Sequence, residues 1–162
     1  MQASKYLMNQ ANSHNTKNPG ISIVVHTYGR AEFLKVMIQS VRTTTPREAY
    51  EILAVSSDPP ETEKVGWLKQ QEDVIFIQAD IRRPWQLRKQ SAFYYINLGL
   101  KKSSKPWVVV LNDDMSFDKD WYAEFSKIVS DPANANAGMI IAAMHLGKVK
   151  HGRRIIKLGW TK

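Results

Sequence analysis

Two adjacent carboxylates stand directly behind an apolar run in the second half of the chain. The run WVVVL (107–111) leads into Asn112, Asp113 and Asp114. Ligands of open α/β sheets bind at the carboxyl ends of the strands. A polar cluster that follows a buried strand is therefore at a position where a binding or catalytic site is expected. Neighbouring carboxylates repel each other unless a cation neutralises them, and Mg²⁺ or Mn²⁺ binds one or two carboxylates together with phosphate oxygens. The cluster therefore indicates a metal ion that links the protein to a diphosphate; the alternative is a turn that caps the following helix.

The elements that must position this cluster alternate along the chain. Apolar runs predict strands at 21–26, 51–56, 74–78, 107–111 and 138–144. Apolar residues at helical spacing predict helices at 30–41, 61–71, 85–100 and 118–129. Apolar strands that alternate with helices are typical of a parallel sheet covered on both faces. The sequence therefore predicts an α/β fold of three layers, in which a mainly parallel, twisted sheet carries helices on both faces.

The composition fits one compact domain. The chain has 162 residues, of which 43% are hydrophobic, so it can bury a core. Residues 1–19 are polar and end at a Pro-Gly pair, which predicts a flexible leader before a domain over 20–162. The absence of cysteine excludes disulfides, thiolate metal sites and cysteine nucleophiles. The sequence shows neither a long apolar run nor a signal-peptide pattern, so we expect a cytoplasmic protein.

The positive charge of the chain is concentrated near its end. The net charge is +8, and residues 132–162 hold no Asp or Glu. The basic residues of this segment are Lys148, Lys150, Arg153, Arg154, Lys157 and Lys162. Such a segment favours a phosphate-bearing substrate, an acidic membrane surface or a nucleic acid, and the alternative is a merely solvated face. A nucleic acid is the least favoured partner, because the sequence shows no recognition helix, zinc-ligand spacing or RNP-like strand.

Three separated blocks resemble family 2 glycosyltransferases of the GT-A fold. ISIVVHTYGR resembles the opening of the family, which usually reads V-S-I-V-I-P-T-Y-N-R, and EILAVSSD resembles its second strand, which usually ends in V-D-D-G-S. INLGLKKSSKPWVVVLNDDM resembles R-N-x-G-I-x-x-A-x-G-E-Y-I-x-F-L-D-x-D, with Asn97, Gly99, Leu100, Leu111 and Asp114 in register. The resemblance covers roughly residues 20–160. It implies a Rossmann-like domain that binds a nucleotide-diphosphate sugar through Mn²⁺ or Mg²⁺, for transfer of the sugar to the hydroxyl of an unknown acceptor.

The resemblance also implies which residues form the site. The implied nucleotide-binding residues are Thr27, Tyr28, Arg30, Ser56, Asp58, Asn97, Asn112 and Asp113, and the implied metal ligands are Asp114 and His145. Thr27 and Tyr28 match the turn that lies against the base, and a strand-to-helix turn offers free N–H groups and a positive helix end. Asp114 matches the last, metal-binding acid of the D-x-D motif, whereas Asn112 replaces the first acid. An amide can hydrogen-bond a ribose or coordinate a metal weakly, so we expect an altered site at this position.

Several positions depart from the family pattern. His26 stands where the family usually has Pro, and a lone histidine beside a strand end is more often structural than a ligand. Ser56 and Ser57 replace two acids, one of which holds the base in the family, and Asp58 is the nearest substitute. Asp58 precedes a proline, so a turn role is the alternative. Some GT-A enzymes complete the metal site with a downstream histidine, which His145 would supply; the alternative is an unliganded histidine in a cation-rich segment.

No residue of this chain matches the general base of the family. In inverting relatives an acid further along the chain deprotonates the acceptor hydroxyl, but no acid follows Asp131 here. The acids near other predicted strand ends are Asp58, Asp80 and Asp118, so the catalytic residue stays unassigned. We expect the chain to bind a nucleotide diphosphate with a metal but to transfer sugar slowly, and a version that continues past Lys162 to restore transfer. The alternative is a catalytically inactive nucleotide-binding or interaction module.

Overall fold

Four ranges of the chain are described by the computed structural model. They are residues 19–79, 92–134, 143–146 and 156–159, the last two as backbone only. Nearly all of the predicted leader lies outside them, as do Asp80, the first part of the predicted helix 85–100 and most of the basic segment. The side chain of His145 is also outside the description, although its backbone belongs to a strand. Within the described residues no helix is long and apolar enough to cross a membrane.

Strands and helices alternate through the first two ranges, as the apolar periodicity predicts. The strands are β1 Ile21–Thr27, β2 Tyr50–Ser56, β3 Val74–Gln78, β4 Trp107–Asn112, β5 Met115–Phe117, β6 Ala143–Leu146 and β7 Ile156–Gly159. The helices are α1 Ala31–Thr44, α2 Glu63–Lys69, α3 Ala92–Leu100 and α4 Trp121–Ser130. The strand expected at 138–144 overlaps β6 at two residues, and positions 138–142 lie outside the described residues. The short strand β5 was not predicted, because three residues between two turns carry no readable period.

The main sheet is four-stranded and parallel, in the order β3-β2-β1-β4. Its register pairs Thr27 with Ser56 on one side of β1, and His26 with Asn112 on the other. The strands β1, β2 and β4 therefore end at the same level. Because all four strands run in one direction, the loops that follow them emerge at one edge, which we call the carboxyl edge.

Helices cover both faces of this sheet, which confirms the predicted three-layer fold. On one face, the apolar sides of α1 and α4 share a single buried cluster with β1 and β2; its members include Ile23, Val25, Leu34, Ile38, Ile52, Trp121 and Phe125. On the other face, α3 packs through Tyr95 against Val24 and Val55. A Cβ atom at Gly99 would overlap the side chain of Val24. The glycine therefore permits the close approach of α3 to β1.

A second, smaller sheet follows the main one in the order β5-β7-β6. The strand β5 pairs in parallel with β7, and β6 pairs antiparallel with β7. The backbone N–H of Phe117 donates a hydrogen bond to Ser40 Oγ at 3.0 Å, which fixes β5 against α1. Since β5 begins one residue after Asp114, this contact also limits where the turn between β4 and β5 can lie.

Candidate functional site

Two loops at the carboxyl edge meet through the side chains of Thr27, Arg30 and Asp113. Thr27 Oγ1 donates a hydrogen bond of 2.8 Å to Asp113 Oδ2, and Arg30 Nη2 lies 2.7 Å from Asp113 Oδ1. The carboxylate of Asp113 is 1% exposed, so water screens these contacts only weakly. They join the loop after β1 to the turn after β4. The residue types singled out in two separate segments of the sequence are thereby brought together.

Arg30 also reaches the second carboxylate of the turn. Its Nη1 donates a hydrogen bond of 3.0 Å to Asp114 Oδ2, so one guanidinium group bridges Asp113 and Asp114. The other oxygen, Asp114 Oδ1, is buried, and no hydrogen-bond donor in the described part of the chain reaches it. The contact of Arg30 with Asp113 Oδ1 is ionic and lacks good hydrogen-bond alignment. The pair of acids is thus neutralised from one side and has an unused acceptor on Asp114.

A buried ion pair between Lys64 and Asp58 stabilises the loop after β1. Lys64 on α2 pairs with Asp58 Oδ2, and Lys64 Nζ also donates a hydrogen bond of 3.0 Å to Thr27 Oγ1. Ser56 Oγ donates to Asp58 Oδ2 at 2.8 Å, and the backbone N–H of Gly29 donates to Asp58 Oδ1 at 2.8 Å. Burial alone would raise the pKa of Asp58, but the hydrogen bonds from Lys64, Gly29 and Ser56 outweigh it and hold the pKa below the usual 3.8.

Lys64 is a site residue that the sequence analysis missed. A lysine on a short helix is normally solvated, so nothing about its type draws attention to it. Its position gives a usable signal, because Lys64 precedes the buried Leu68 by four residues and therefore lies on the same, inward face of α2. A lysine on the apolar face of a helix requires a buried anionic partner. Asp58 is that partner here.

The loop itself is shaped by Gly29. Its φ of 71° lies in the left-handed region, which glycine adopts without steric cost. This conformation directs the Gly29 N–H at Asp58, and the neighbouring Tyr28 is 61% exposed. An exposed aromatic ring beside a buried polar network offers a flat surface for stacking. Asn112, at the end of β4, is likewise exposed.

His26 lies near the end of β1 and packs against α3. Its ring stacks on Tyr95 with centroids 4.1 Å apart and an interplanar angle of 2°, and its Nε2 lies 3.0 Å from Ser57 Oγ. Burial lowers the pKa of His26 below 6.5, although the nearby Asp113 carboxylate opposes the shift. A neutral, stacked and hydrogen-bonded imidazole is a structural group, in agreement with the structural interpretation of this position.

Asn97 is not brought to the cluster. On α3, Tyr95 and Gly99 are buried against the sheet, whereas Asn97 between them is exposed. Because successive helical residues are about 100° apart, Asn97 lies on the solvent side of the helix. Its predicted contact with a nucleotide stays a prediction.

Among the described side chains, no group of three His, Cys, Asp or Glu residues gathers to hold a metal ion. The buried and unpartnered Asp114 Oδ1 nevertheless fits a hard cation, because an unused carboxylate oxygen in a poorly solvated position gains strongly from one. Asp114 is therefore the described residue best suited to bind a metal. The proposed second ligand, His145, has its backbone in β6, and its part in a metal site stays a prediction.

The chain is similar to known proteins in sequence and in fold. The sequence pattern of "Glycosyl transferase family 2" matches residues 22–156. Among solved structures, the chain is similar to the mannosyltransferase PcManGT from Pyrobaculum calidifontis, solved in complex with GDP-Man and Mn²⁺, with a TM-score of 0.57 and 19% identity. That match covers 80% of this chain and 40% of the mannosyltransferase. At this identity the likeness shows the fold alone.

Two further matches have the same character. S. aureus TarS, residues 1–349, aligns with a TM-score of 0.55 and 15% identity, over 68% of this chain and 32% of that one. The uncharacterized protein y4gI of Sinorhizobium fredii is 24% identical over 147 residues, which are 87% of this chain and 15% of that protein. The chain thus spans less than half the length of each of these relatives.

Proposed function

The chain belongs to glycosyl transferase family 2, and on that premise we propose that its carboxyl edge binds a nucleotide-diphosphate sugar with a divalent ion, Mn²⁺ or Mg²⁺. The sugar would be transferred to the hydroxyl of an acceptor. One observation carries the proposal: a single network joins the loop after β1 to the Asp113-Asp114 turn, beside an exposed tyrosine. A ligand with an aromatic base at one end and phosphates at the other matches those two features.

The nucleotide part of the ligand would lie against the loop after β1. Tyr28 offers its exposed ring to the base, and Asn112 offers an exposed amide to the ribose. Thr27, Ser56 and Asp58 are buried, so we assign them the task of holding this loop in place. Because the Asp58 carboxylate is already engaged by Lys64, Ser56 and Gly29, direct recognition of the base by Asp58 would require one of those donors to leave.

The diphosphate part would lie against the turn after β4. Asp114, with its unused oxygen, would hold the metal, and His145 is a further proposed ligand. A divalent ion bound there would neutralise the negative charge of the departing diphosphate. Arg30 is half-exposed and supplies a fork of N–H donors that matches phosphate oxygens, while Asp113 stays buried and positions it. The mannosyltransferase that shares the fold was solved with GDP-Man and Mn²⁺, which supports this choice of ligands.

The basic segment 132–162 suggests where such a chain would work. We propose that it acts in the cytoplasm, with an acidic membrane surface as the partner of these cations. A catalytically inactive nucleotide-binding module is the second candidate function. It is favoured by the engagement of Asp58, Asp113 and Asp114 in internal ion pairs, which leaves none of these three acids ready to act as a base.

Calorimetric titration with uridine, guanosine and thymidine diphosphates, with and without Mn²⁺, tests the proposal. We expect at least one of them to bind, and to bind more tightly with the metal. Asp114→Asn should remove the metal dependence and leave the fold intact, because the side chain lies in the turn between β4 and β5 and is partly exposed. Asp120→Asn removes an exposed carboxylate later in the chain and should change neither the binding nor its metal dependence. Equal affinity of wild type and Asp114→Asn would show that the acids only shape the turn, and no binding of any nucleotide would overturn the function.

A further inference from the structure

The positively charged side chain of Arg30 lies between the carboxylates of Asp113 and Asp114. The Arg30 guanidinium lies 2.7 Å from Asp113 Oδ1 and 3.0 Å from Asp114 Oδ2. A divalent cation bound by Asp114 would therefore meet a like charge a few ångströms away. Two like charges at such a distance repel each other even when water screens them in part. Arg30 and the metal cannot both hold Asp114 without loss of binding free energy.

The two aspartates differ in how far they depend on Arg30. Asp113 is 1% exposed and also accepts a hydrogen bond from Thr27 Oγ1, so it keeps a partner if Arg30 moves. Asp114 is 26% exposed, and Arg30 is its ion-pair partner among the described residues. Asp114 can therefore exchange one cation for another, whereas Asp113 is the fixed member of the pair.

Arg30 itself is free enough to move. Its side chain is 51% exposed, and it occupies the N-cap position of α1 without a side-chain capping hydrogen bond to the described residues. A displaced guanidinium would remain beside the positive end of α1, where an anionic ligand is favoured. A diphosphate bound there would form an ion pair with Arg30 in place of the ion pair with Asp114.

We propose that Arg30 is a built-in counter-ion that competes with the divalent cation for Asp114. In the metal-free chain it neutralises both carboxylates. When the cation binds Asp114, Arg30 is released from that residue and becomes available to the diphosphate. The inference rests on the proposed function, and it makes metal binding and diphosphate binding mutually reinforcing, as thermodynamic linkage requires.

Binding of Mn²⁺ alone tests the competition, without nucleotide and without turnover. Free Mn²⁺ is measured by electron paramagnetic resonance during titration of the full chain. We expect Arg30→Met to bind Mn²⁺ roughly three- to tenfold more tightly than wild type, since it removes a competing charge-assisted pair. Arg30→Lys keeps the charge but loses the fork that spans two carboxylates, so it should fall between them. Lys102→Met removes one exposed charge in the turn after α3 and should leave the affinity unchanged.

Unchanged or weaker Mn²⁺ binding by Arg30→Met, with the fold verified by circular dichroism, would overturn the inference. If Arg30→Met does not fold, Arg30→Lys and wild type decide the matter: in wild-type protein the Nε–Hε resonance of Arg30 should shift on addition of Mg²⁺, and an unmoved signal would count against displacement. Failure of the proposed function gives a different result, because nucleoside diphosphates would then not bind wild type even though the Mn²⁺ affinities still differ.

With nucleoside diphosphate present, wild type should gain Mn²⁺ affinity and Arg30→Met should gain less, because its side chain has no charge to give to the diphosphate. Equal gains in the two proteins would show that Arg30 is not transferred between the ligands. The titration without nucleotide therefore tests the release of Arg30 from Asp114, and the titration with nucleotide tests its binding to the diphosphate.

Discussion

Lys64 carries a charge into the protein interior and holds three parts of the site together. The Lys64 side chain is 5% exposed and that of Asp58 is 7% exposed, so both charges depend on each other and on nearby hydrogen bonds. Through Lys64, the loop that contains Asp58 is connected to Thr27, and Thr27 is connected to Asp113. A substitution of Lys64, Asp58 or Thr27 should therefore also change the Asp113-Asp114 turn.

Removing Lys64 should be costly, because it leaves the Asp58 carboxylate buried without a counter-charge. We expect Lys64→Met to lower the free energy of unfolding by about 3 kcal/mol, measured by urea denaturation. Lys69→Met, at the last residue of α2 and exposed, is the matched control and should cost little. The double variant Asp58→Asn, Lys64→Met should recover a large part of the loss, since it removes both charges. Additive effects of the two substitutions would contradict a direct pairing.

The same ion pair gives a pH dependence whose sign follows from the pKa of Asp58. That pKa is held below 3.8 in the folded chain, so the folded state binds the proton less readily than the unfolded state. The stabilisation from the pair is present above about pH 4 and is lost as the pH falls through the lower, folded-state value. The double variant should show a flatter stability profile over that range.

At the scale of single residues, the sequence predicted which residues lie at the site better than it predicted which side chains they contact. Thr27 and Arg30 were named as site residues because they match the family pattern, and Asp114 also because it follows a predicted strand at the edge where ligands collect. That Arg30 would bridge two acids was not predictable, because it depends on side-chain conformations at the end of a loop. The same limit applies to Asp58, whose expected roles as turn residue or base ligand did not include an ion pair.

At the scale of elements, the apolar periodicity located strands and helices to within a few residues. The predicted strand at 74–78 matches β3, and the strands predicted at 21–26 and 51–56 match β1 and β2 with one added residue each. The fit is good because buried parallel strands read as continuous apolar runs. The periodicity could not locate β5, since its three residues are held by pairing with β7 and by the contact of Phe117 with Ser40. Local sequence carries no record of such tertiary support.

Close packing of α3 on β1 depends on the absence of a side chain at Gly99. We expect Gly99→Ala to lower the free energy of unfolding by about 1–3 kcal/mol, because the added methyl group would overlap Val24 in a buried sheet face. Gly66→Ala on α2 is the matched control. A Cβ at Gly66 would meet no atom within 4 Å, so alanine there should stabilise the helix by about 0.5–1 kcal/mol. Thermal unfolding followed by circular dichroism measures both; a gain of stability in each variant would contradict the packing argument.

At the scale of the whole molecule, the fold could be predicted because alternation of strands and helices admits few arrangements. A parallel sheet with helices on both faces follows from that alternation, and it brings the ends of β1, β2 and β4 to one edge. The chain spans 40% of the mannosyltransferase and 32% of the TarS structure to which it is similar. Activity of a whole relative therefore does not transfer directly to this chain, and the supply of a general base has to be tested on the chain itself.

We expect the 162-residue chain to release nucleoside diphosphate from sugar nucleotides only slowly. Residues 132–162 hold no Asp or Glu, Asp58 is engaged by Lys64, and Asp114 is engaged by Arg30. A general base contributes roughly 10²- to 10⁴-fold to such reactions, so a chain in which no acid takes this role should be slower by that order. Formate added to the assay can act as an external base, with water as the acceptor, and should raise the rate in proportion to its concentration. Sodium chloride at equal ionic strength controls for salt effects. Fast multiple turnover that formate does not change, and that Asp118→Asn or Asp80→Asn abolishes, would show that an acid of this chain already serves as the base.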